Sequence, residues 1–359
     1  MSKQRLEKGF LEQISIPSVS GNERHFAEYM EKKLKELGLT VEKDAMGNLF
    51  ARLQGEPEKK PLLFCAHLDT VPTEPIKYLI DGDEIKANGS SILGADDKAA
   101  TSALLECLRA IKEEGIKHGD LEVLLTVQEE VGLVGAKNFD LNRAKSDIFF
   151  VLDFSGSVGA AVRSAPYAND FRFTFMGKAA HAGGEPEKGI SAVQALALAI
   201  SSMPLGRIDF ETTANIGIIS GGKATNVVPD FAEMRGEARS RNLEKLEKQT
   251  GIMIQAAEEA ALSVGANVEV ECVREYDGYS LSEEEPIVKL AKEATSALGL
   301  NFKLVDAGGA SDANVFFKKG KKSLVLSCGY VRPHTPEEAC SIEEMFRLTL
   351  LLLEIVRKA

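Results

Sequence analysis

A histidine and an aspartate stand one residue apart directly after the apolar run Leu-Leu-Phe-Cys-Ala, with His67 and Asp69 separated by Leu68. Along an extended backbone, residues two apart point to the same side, so both side chains would face one site. A carboxylate beside an imidazole is a usual way of holding a metal-ligating histidine, because it accepts the other ring N–H and fixes the tautomer. A loop histidine followed by a turn-forming aspartate before Val71-Pro72 explains the pair equally well on its own.

Further acidic residues follow apolar or glycine-containing segments, and another histidine stands near the end of the chain. In an open α/β sheet, the loops at the carboxyl ends of the strands meet in one crevice, so these groups would converge. Converging carboxylates repel one another and shift each other's pKa values unless a cation joins them. One such acid alone is more often a cap or a turn former, but the whole set indicates a metal site. Its members are Asp96-Asp97, Glu129-Glu130, Asp153 and His334.

Two histidines and three carboxylates, one of them bridging, are a suitable ligand set for two divalent metal ions. Such nitrogen and oxygen ligands favour Zn²⁺ and also accept Mn²⁺ or Co²⁺. The residues alone do not decide which aspartate of Asp96-Asp97 and which glutamate of Glu129-Glu130 would be a ligand. The expected chemistry of such a centre is hydrolysis by an activated water.

The apolar segments that precede these residues predict the strands of a sheet. Leu62–Ala66, Leu121–Val127 and Asp147–Leu152 are almost wholly apolar, which is typical of strands buried on both faces. Between the first two, Ala99–Glu114 has the pattern of a helix with small residues at its start. Apolar strands that alternate with helices predict βαβ units, a mostly parallel sheet and the α/β fold class.

The pattern changes over residues 164–275, where the strands alternate between apolar and polar residues. The order of elements there is β-α-β-β-α-β, which predicts an α+β (ferredoxin-like) domain. We expect this domain to be inserted into an α/β domain formed by residues 1–163 and 276–359. The segments that support it are Phe171–Met176, Gly189–Met203, Val227–Arg239, Leu243–Val264 and Val268–Arg274.

The composition argues against several other classes of protein. A net charge of −11 over 359 residues, without a basic stripe, excludes nucleic acid and acidic membrane surfaces as expected partners. The first residues lack the continuous apolar core of a signal peptide, and Leu348–Val356 is too short an apolar run to span a bilayer. Five cysteines without close pairing indicate a reducing, cytoplasmic setting rather than disulfides or a thiolate zinc site.

Eight motifs follow one another along the chain, namely HLDTVP, GADDKAA, TVQEEVG, KAAHAG, ATNVVPD, GEARSR, GGASDAN and PHT. In this order they resemble the dinuclear zinc exopeptidases and deacylases, a family that includes peptidase T, carboxypeptidase G-type enzymes, aminoacylase and succinyl-diaminopimelate desuccinylase. The resemblance covers essentially the whole chain, and GADDKA with KAAHAG is most similar to the peptidase T branch. It implies a zinc-exopeptidase-like catalytic domain with an inserted lid that also forms a dimer in several members.

The resemblance also implies which residues hold the two metal ions. Asp96 rather than Asp97 matches the bridging aspartate, because that residue lies two positions before a lysine, here Lys98. The peptide bond after it is cis in the family, so a cis bond is expected between Asp96 and Asp97. The implied ligands are His67 and Asp153 for one metal, Glu130 and His334 for the other, and Asp96 for both.

Three residues receive catalytic roles from the same resemblance. Glu129 would be the general base that takes a proton from the metal-bridging water. Asp69 would orient His67. His181, in KAAHAG, would donate from the lid to the tetrahedral oxyanion, in its own subunit or across a dimer. On its residues alone, His181 is also compatible with a surface loop.

A second group of residues would bind the substrate. Arg239 matches the family's carboxylate-binding arginine, whose planar fork suits a bidentate pair, and Arg235 is the competing choice. Asn226 would supply amide hydrogen bonds, although it also suits a turn. Gly309 and Ser311 would lie in a backbone loop beside the site, and Ser311 is equally explained as a helix N-cap.

The sequence therefore predicts a hydrolase, specifically a zinc metallopeptidase acting as an aminopeptidase on short peptides, with tripeptides as the expected substrates. An amidohydrolase that deacylates N-acyl amino acids would use the same metal site with different lid pockets. A third hypothesis is a non-catalytic peptide-binding module on the same scaffold. Glu129 argues against this third hypothesis, because a binder needs ligands but no base. A homodimer through the lid is the expected assembly.

Overall fold

Two units, each built around its own sheet, make up the structure, a computed structural model that describes all 359 residues. The larger unit comprises Met1–Arg163, Ser280–Ala307 and Ser311–Ala359. The inserted unit comprises Ser164–Tyr279 and Gly308–Ala310. The sequence placed the first boundary at the same residue and the second one four residues earlier, at 276.

The helices are, in chain order, α1 (Lys3–Ile14), α2 (Arg24–Glu36), α3 (Ala95–Glu114), α4 (Val134–Asn138), α5 (Ala192–Ser202), α6 (Leu243–Val264), α7 (Pro286–Ala297), α8 (Asp312–Lys318) and α9 (Ile342–Lys358). The strands are β1 (Thr40–Lys43), β2 (Leu49–Leu53), β3 (Leu62–His67), β4 (Tyr78–Asp81), β5 (Glu84–Ala87), β6 (Leu121–Thr126), β7 (Phe149–Phe154), β8 (Ala160–Ala165), β9 (Tyr167–Met176), β10 (Gly206–Arg207), β11 (Thr212–Gly221), β12 (Phe231–Ser240), β13 (Asn267–Tyr276), β14 (Tyr279–Ser280), β15 (Lys303–Asp306), β16 (Ser323–Ser327), β17 (Tyr330–Val331) and β18 (Ala339–Ser341).

The main sheet has the strand order β1-β2-β6-β3-β7-β16-β8-β14, with β15 beside β8. Its four central strands, β6, β3, β7 and β16, run parallel. Every residue of β3 and β6 is buried, which explains why both strands are apolar rather than alternating. The predicted α/β class with a parallel centre is confirmed. Because these strands end at one edge, the residues that follow them are brought together.

The helix α3 connects this sheet to the outer helices. It packs on β3 and β7, and α1 and α9 pack on it in turn. Ala99, Ala100 and Ala103 in its first turns are fully buried, because small side chains let a helix approach a sheet closely. Its carboxyl end is closed by Gly115 at φ 63, a usual left-handed C-cap.

One small sheet of the larger unit was not expected from the sequence. The sequence pattern predicted no strand over residues 78–87, whereas β4 and β5 form an antiparallel hairpin there. The hairpin belongs to a four-stranded sheet with the order β17-β18-β5-β4. Its outer strand β4 is exposed along its whole length, so its sequence has no buried face that would show as a pattern.

The inserted unit is an antiparallel sheet of five strands in the order β10-β11-β12-β9-β13. The helices α5 and α6 pack on it and bury an apolar core that includes Phe173, Phe175 and Met253. Without the short β10, the order of elements is the predicted β-α-β-β-α-β. The strand expected at Val227–Arg239 begins only at Phe231.

Two further observations concern the whole chain. The helices include none that combines the length and the apolar character needed to cross a membrane. All five cysteines are free, and four of them are buried.

Candidate metal centre

Three parallel strands carry residues of the predicted centre to one edge of the main sheet. His67 is the last residue of β3 and lies opposite Thr126, the last residue of β6. Glu129-Glu130 follow β6 after Gln128, whose φ is 54. Asp153 is the last but one residue of β7.

The carboxylate of Asp96 lies between two histidines. Its Oδ1 is 3.1 Å from Nε2 of His67, and its Oδ2 is 3.3 Å from Nε2 of His334. The same nitrogen of His334 is 2.8 Å from Oε1 of Glu130. Ligand atoms of His67, Asp96 and Asp153 lie within 4.8 Å of one another. The structure thus brings together the five residues expected as ligands, with Asp96 in the middle.

The neighbouring aspartate faces a different way. Oδ2 of Asp97 accepts the backbone N–H of His67 at 3.2 Å, and its Oδ1 is buried without a partner. The peptide bond between Asp96 and Asp97 is cis, as expected. Both residues have non-helical backbone angles at the start of α3. The two adjacent carboxylates therefore have different surroundings, and Asp96 is the one between the histidines.

The tautomer of His67 follows from its hydrogen bonds. Its Nδ1 lies 2.9 Å from the backbone carbonyl of Asp69 and 3.5 Å from Oδ1 of that residue. A carbonyl oxygen only accepts, so Nδ1 carries a proton and a neutral ring has its free electron pair on Nε2. This nitrogen faces Asp96, and the ring is oriented as a metal ligand would be.

Asp69 orients the loop after β6 as well as His67, because its carboxylate binds that loop. It accepts the backbone N–H groups of Glu129 at 2.9 Å and of Glu130 at 3.1 Å. The hydroxyl of Ser20 donates to its Oδ2 at 2.7 Å. The expected contact with His67 is made more closely by the carbonyl of Asp69 than by its carboxylate, so the carboxylate mainly holds the glutamate pair in place.

The ionisation of the site reflects crowded acids around two imidazoles. Burial opposes the charge of His67, but its hydrogen bonds with Asp69 and Asp96 outweigh this and raise its pKa well above the usual value. Hydrogen bonds with Asp96 and Glu130 raise the pKa of His334 to about 10. Both imidazoles are therefore stabilised in their charged form by the surrounding carboxylates.

In two carboxylates of the cluster, by contrast, the surroundings disfavour the charged form. Burial, followed by the charge of Asp153, raises the pKa of Glu129 well above its usual value. Burial and the charge of Asp96 do the same to the pKa of Asp153. The ion pairs of this cluster are formed with histidines and with no lysine or arginine. Negative charge therefore exceeds the positive charge available, and the nitrogen and oxygen donors fit divalent metal ions.

His181 lies in an exposed loop of the inserted unit. Its Nδ1 accepts the backbone N–H groups of Gly183 at 3.1 Å and of Gly184 at 3.0 Å. The neutral ring therefore carries its proton on Nε2. A hydrogen bond links this loop to the loop of Asn226, whose backbone carbonyl accepts the N–H of Ala182 at 3.0 Å. His181 thus presents an N–H donor from a locally fixed ring.

The two candidate arginines of β12 differ in burial. Arg239 donates to Glu237 at 2.7 Å, and its Nε is buried without a partner. A Cβ placed on Gly309 would lie 4.0 Å from its Nη1. Arg235 is exposed and donates to Glu233 at 2.8 Å. The guanidinium of Arg239 therefore has one N–H donor, at Nε, that is not yet paired.

The remaining predicted binding residues have simple surroundings. The side chain of Asn226 is exposed in the loop before β12. Ser311 is the N-cap of α8. Its hydroxyl accepts the N–H of Ala313 at 3.3 Å, and its backbone N–H donates to Oδ1 of Asn314 at 3.1 Å. Of the two explanations left open for Ser311, the structure shows the cap.

Comparison with known proteins agrees with this geometry. Residues 63–358 match peptidase family M20/M25/M40. The chain belongs to this family. The aminopeptidase PepT of Bacillus cereus ATCC 10987 is similar in structure, with 38% identity, a TM-score of 0.89 and coverage of 100% of this chain and 99% of that one. A tripeptidase of Staphylococcus aureus subsp. aureus mu50 is 36% identical, with a TM-score of 0.94 and coverage of 100% and 98%.

Two other similar proteins extend this comparison of the M20 peptidase. The uncharacterised protein YqjE of Bacillus subtilis (strain 168) is 39% identical over 368 residues, which cover 100% of this chain and 99% of that protein. A Bacillus subtilis M20 protein described as a dinuclear metal binding peptidase is 16% identical, with a TM-score of 0.75 and coverage of 99% and 98%, and shows the shared fold alone. These matches confirm the resemblance stated from the motifs, and they confirm that the chain is an enzyme.

Sequence reasoning missed several residues around the centre of this M20 peptidase. Ser20 binds Asp69, as described above. Tyr330 is fully buried, and its hydroxyl donates to Oδ1 of Asp153 at 3.4 Å. Glu338 is fully buried beside Asp96. All of these lie far in sequence from the groups that they bind, so spacing could not reveal them. Only the position of Glu338 shortly after His334 offered a signal.

Proposed function

We propose that this M20 peptidase is a metal-dependent aminopeptidase that hydrolyses short peptides, with tripeptides as its main substrates. The observation that carries the proposal is the position of Asp96, whose two oxygens face Nε2 of His67 and Nε2 of His334. One carboxylate between two imidazoles is the arrangement that a pair of metal ions shares. Two divalent metal ions, with Zn²⁺ favoured by this donor set and Mn²⁺ or Co²⁺ accepted, would be held here.

The residues that would hold the metals form two groups around the shared aspartate. The first group is His67 with Asp153, and the second is Glu130 with His334. When bound, the metal ions supply Lewis acidity and positive charge. That charge would relieve the repulsion among the carboxylates, which burial and crowding otherwise keep from ionising. Asp69 keeps the ring of His67 and the backbone of the glutamate pair in position.

Glu129 is the general base in this proposal. Its carboxylate lies within 4.8 Å of ligand atoms of both His67 and Glu130. Buried and near other carboxylates, it has a raised pKa, which suits a group that takes a proton and later returns it. It would accept a proton from water at a carboxylate oxygen and pass that proton to the leaving amine.

The inserted unit supplies two further groups in this proposal. His181 would stabilise the developing oxyanion with its Nε2–H, supported by the two backbone donors that fix its Nδ1. Arg239 would bind the carboxylate of the peptide, supported by its unpartnered Nε. Asn226, Gly309 and Ser311 are the proposed neighbours of that end of the substrate.

The choice of short peptides with a free amino end is supported by the activities of two similar proteins. Both the aminopeptidase PepT and the tripeptidase named above are matched by the whole of this chain. Free cysteines support a reducing compartment, the cytoplasm, as the site of action.

A substrate panel tests the proposal. The purified protein, supplied with Zn²⁺, Mn²⁺ or Co²⁺ in turn, is assayed with trialanine, N-acetyl-trialanine, dialanine and N-acetyl-alanine. We expect the highest kcat/KM for trialanine, with release of the amino-terminal residue, and two metal ions per chain by elemental analysis. A preference for N-acetyl-alanine would make the protein a deacylase, and tight peptide binding without cleavage would make it a binding module.

We also propose that the protein forms a homodimer through the inserted unit. Beyond Ala214, β11 has no neighbouring strand on its outer side. Ile218 and Ile219 on this strand are 61% and 62% exposed. Apolar side chains on an open strand edge are typical of a pairing surface.

Sedimentation velocity tests this assembly. We expect the wild-type protein to sediment as a dimer and the double variant Ile218→Asp/Ile219→Asp as a monomer. The matched control is Leu79→Asp, which changes a residue of β4 that is 59% exposed, and should remain dimeric. A monomeric wild-type protein would exclude the proposal.

A further inference from the structure

Glu338 is a buried carboxylate whose hydrogen-bond partners are backbone amides. It lies in the chain between His334 and the first residue of β18, and it is 0% exposed. Oε2 accepts the N–H groups of Leu93 at 2.7 Å and of Gly94 at 2.8 Å. Oε1 accepts the N–H of Asp96 at 3.0 Å. A buried carboxylate is costly unless it is well hydrogen-bonded, and these three bonds supply that compensation.

The segment that Glu338 binds has little other regular structure. Gly94 has a φ of 72, and Asp96 has a φ of −82 and a ψ of 102, so neither is helical. The usual helical hydrogen bonds do not form at the start of a helix, and the N–H of Asp96 donates to Glu338 instead. The carboxylate therefore determines where this stretch of backbone lies.

The backbone of Glu338 makes a second set of connections. Its N–H donates to the carbonyl of Thr335 at 3.1 Å, and its carbonyl accepts the N–H of Ala87 at 2.8 Å. Thr335 directly follows His334, which has a φ of 63. Glu338 thus joins the loop that carries His334 to the segment that carries Asp96.

We propose that Glu338 is a positioning residue of the metal centre, which sets the distance between Asp96 and His334 before any metal ion binds. The inference rests on the proposed function of this centre. Asp69 is a parallel case, since its carboxylate binds the backbone N–H groups of Glu129 and Glu130. Each of the two loops that carry acidic ligands is then held by one buried carboxylate.

The substitution Glu338→Gln tests this role with little change in volume. An amide has one acceptor oxygen, so its NH₂ group must face the backbone N–H of either Asp96 or the Leu93-Gly94 pair. The segment has to move, and the two metal ligands separate from their preferred distance. Since loss of a partner behind a metal ligand typically costs about 10- to 100-fold in metal affinity, we expect a loss of that size.

The matched control is Glu337→Gln, which removes the same charge from the adjacent, exposed side chain. Glu338→Asp retains both acceptor oxygens on a shorter side chain and should have an intermediate affinity. Zn²⁺ affinity is measured on the full chain by competition with a chromophoric chelator. The absorption spectrum of the Co²⁺-loaded protein reports the ligand geometry, and circular dichroism of the metal-free protein reports the fold.

The expected result is a 10- to 100-fold weaker affinity and an altered Co²⁺ spectrum for Glu338→Gln, an intermediate affinity for Glu338→Asp, and wild-type behaviour for Glu337→Gln. If Glu338→Gln fails to fold, Glu338→Asp alone decides the question. Wild-type affinity and spectrum in a folded Glu338 variant would overturn the inference. Failure of the wild-type protein to bind two metal ions would instead overturn the proposed function.

Discussion

The metal centre of the larger unit and the loop of His181 in the inserted unit are held in different ways. In the centre, hydrogen bonds join residues that are far apart in sequence, as between Glu338 and Asp96, 242 positions apart. The ring of His181 is fixed instead by the backbone of Gly183, two residues away. The centre is a product of the whole fold, whereas the orientation of His181 comes from a single turn.

The two regions also differ in burial. His67 and Asp69 are 2% and 0% exposed, and among the five expected ligands only His334 is exposed, whereas His181 lies in an exposed loop. Metal ions need several charged ligands at fixed distances, so their site has to be organised by the surrounding structure before they bind. A donor that meets a substrate has to remain accessible. Substitutions of the metal ligands should therefore change metal affinity, whereas substitutions in the inserted unit should leave metal affinity unchanged.

The largest effect is expected for Glu129→Gln, which separates proton transfer from metal binding within the centre. Loss of a general base lowers kcat by about 100- to 10,000-fold, while two metal ions should remain bound, as measured by elemental analysis. Glu337→Gln serves as the control with the same loss of charge. Loss of one metal ion from Glu129→Gln would show that the ligand and the base are exchanged between Glu129 and Glu130.

A smaller effect is expected for His181→Asn in the inserted unit. Removal of one donor to an oxyanion lowers kcat by about 100- to 1,000-fold, with unchanged Zn²⁺ affinity and unchanged melting of the metal-free protein. His25→Asn replaces a histidine whose side chain is 81% exposed on α2 and is the matched control. Weaker metal binding by His181→Asn would contradict the separation between the two regions.

Next in size is Arg239→Lys, which retains the charge but removes the planar fork. Loss of one charge-assisted hydrogen bond to a carboxylate corresponds to a rise in KM of about tenfold, with kcat nearly unchanged. Arg235→Lys, on the same strand, should leave KM close to the wild-type value. A larger rise in KM for Arg235→Lys would show that Arg235, rather than Arg239, binds the carboxylate of the peptide.

The smallest expected effect is the pH dependence of the metal-free protein. The raised pKa of His334, about 10 against an unfolded value of about 6.5, gives stability that is complete below pH 6.5 and is lost as the pH rises towards 10. The raised pKa of His67 acts in the same direction. The melting temperature should therefore fall over this range, and less so in His334→Gln. A constant or rising melting temperature would show that the imidazoles are not paired with carboxylates as described.

Much of the centre could be predicted from the sequence, because its residues follow apolar strands directly. His67 ends β3, and Asp153 lies in β7, so the parallel order of these strands brings them together. The choice of Asp96 or Asp97 as the bridging ligand could not be made from the residue types, since both are acids on adjacent positions. It depends on the backbone angles at the start of α3. The resemblance supplied the choice of Asp96, from its position two residues before Lys98, and the residue types did not.

Other features were outside the reach of sequence patterns. The hairpin of β4 and β5 was missed because β4 has no buried face. The carbonyl of Asp69, rather than its carboxylate, makes the shorter bond to His67, and every residue has a carbonyl. Residue types thus indicate side-chain chemistry, but they carry no information on which backbone groups form the hydrogen bonds of the site.

The sequence by itself determined the α/β class, the inserted α+β segment and the ligand types, because burial on both faces and metal affinity each restrict the residue types allowed. Only the tertiary structure decided that Asp96 lies between two histidines and that Glu338 fixes its backbone. The reason is that these contacts join positions up to 242 residues apart, whose distance is set by the packing of the whole larger unit.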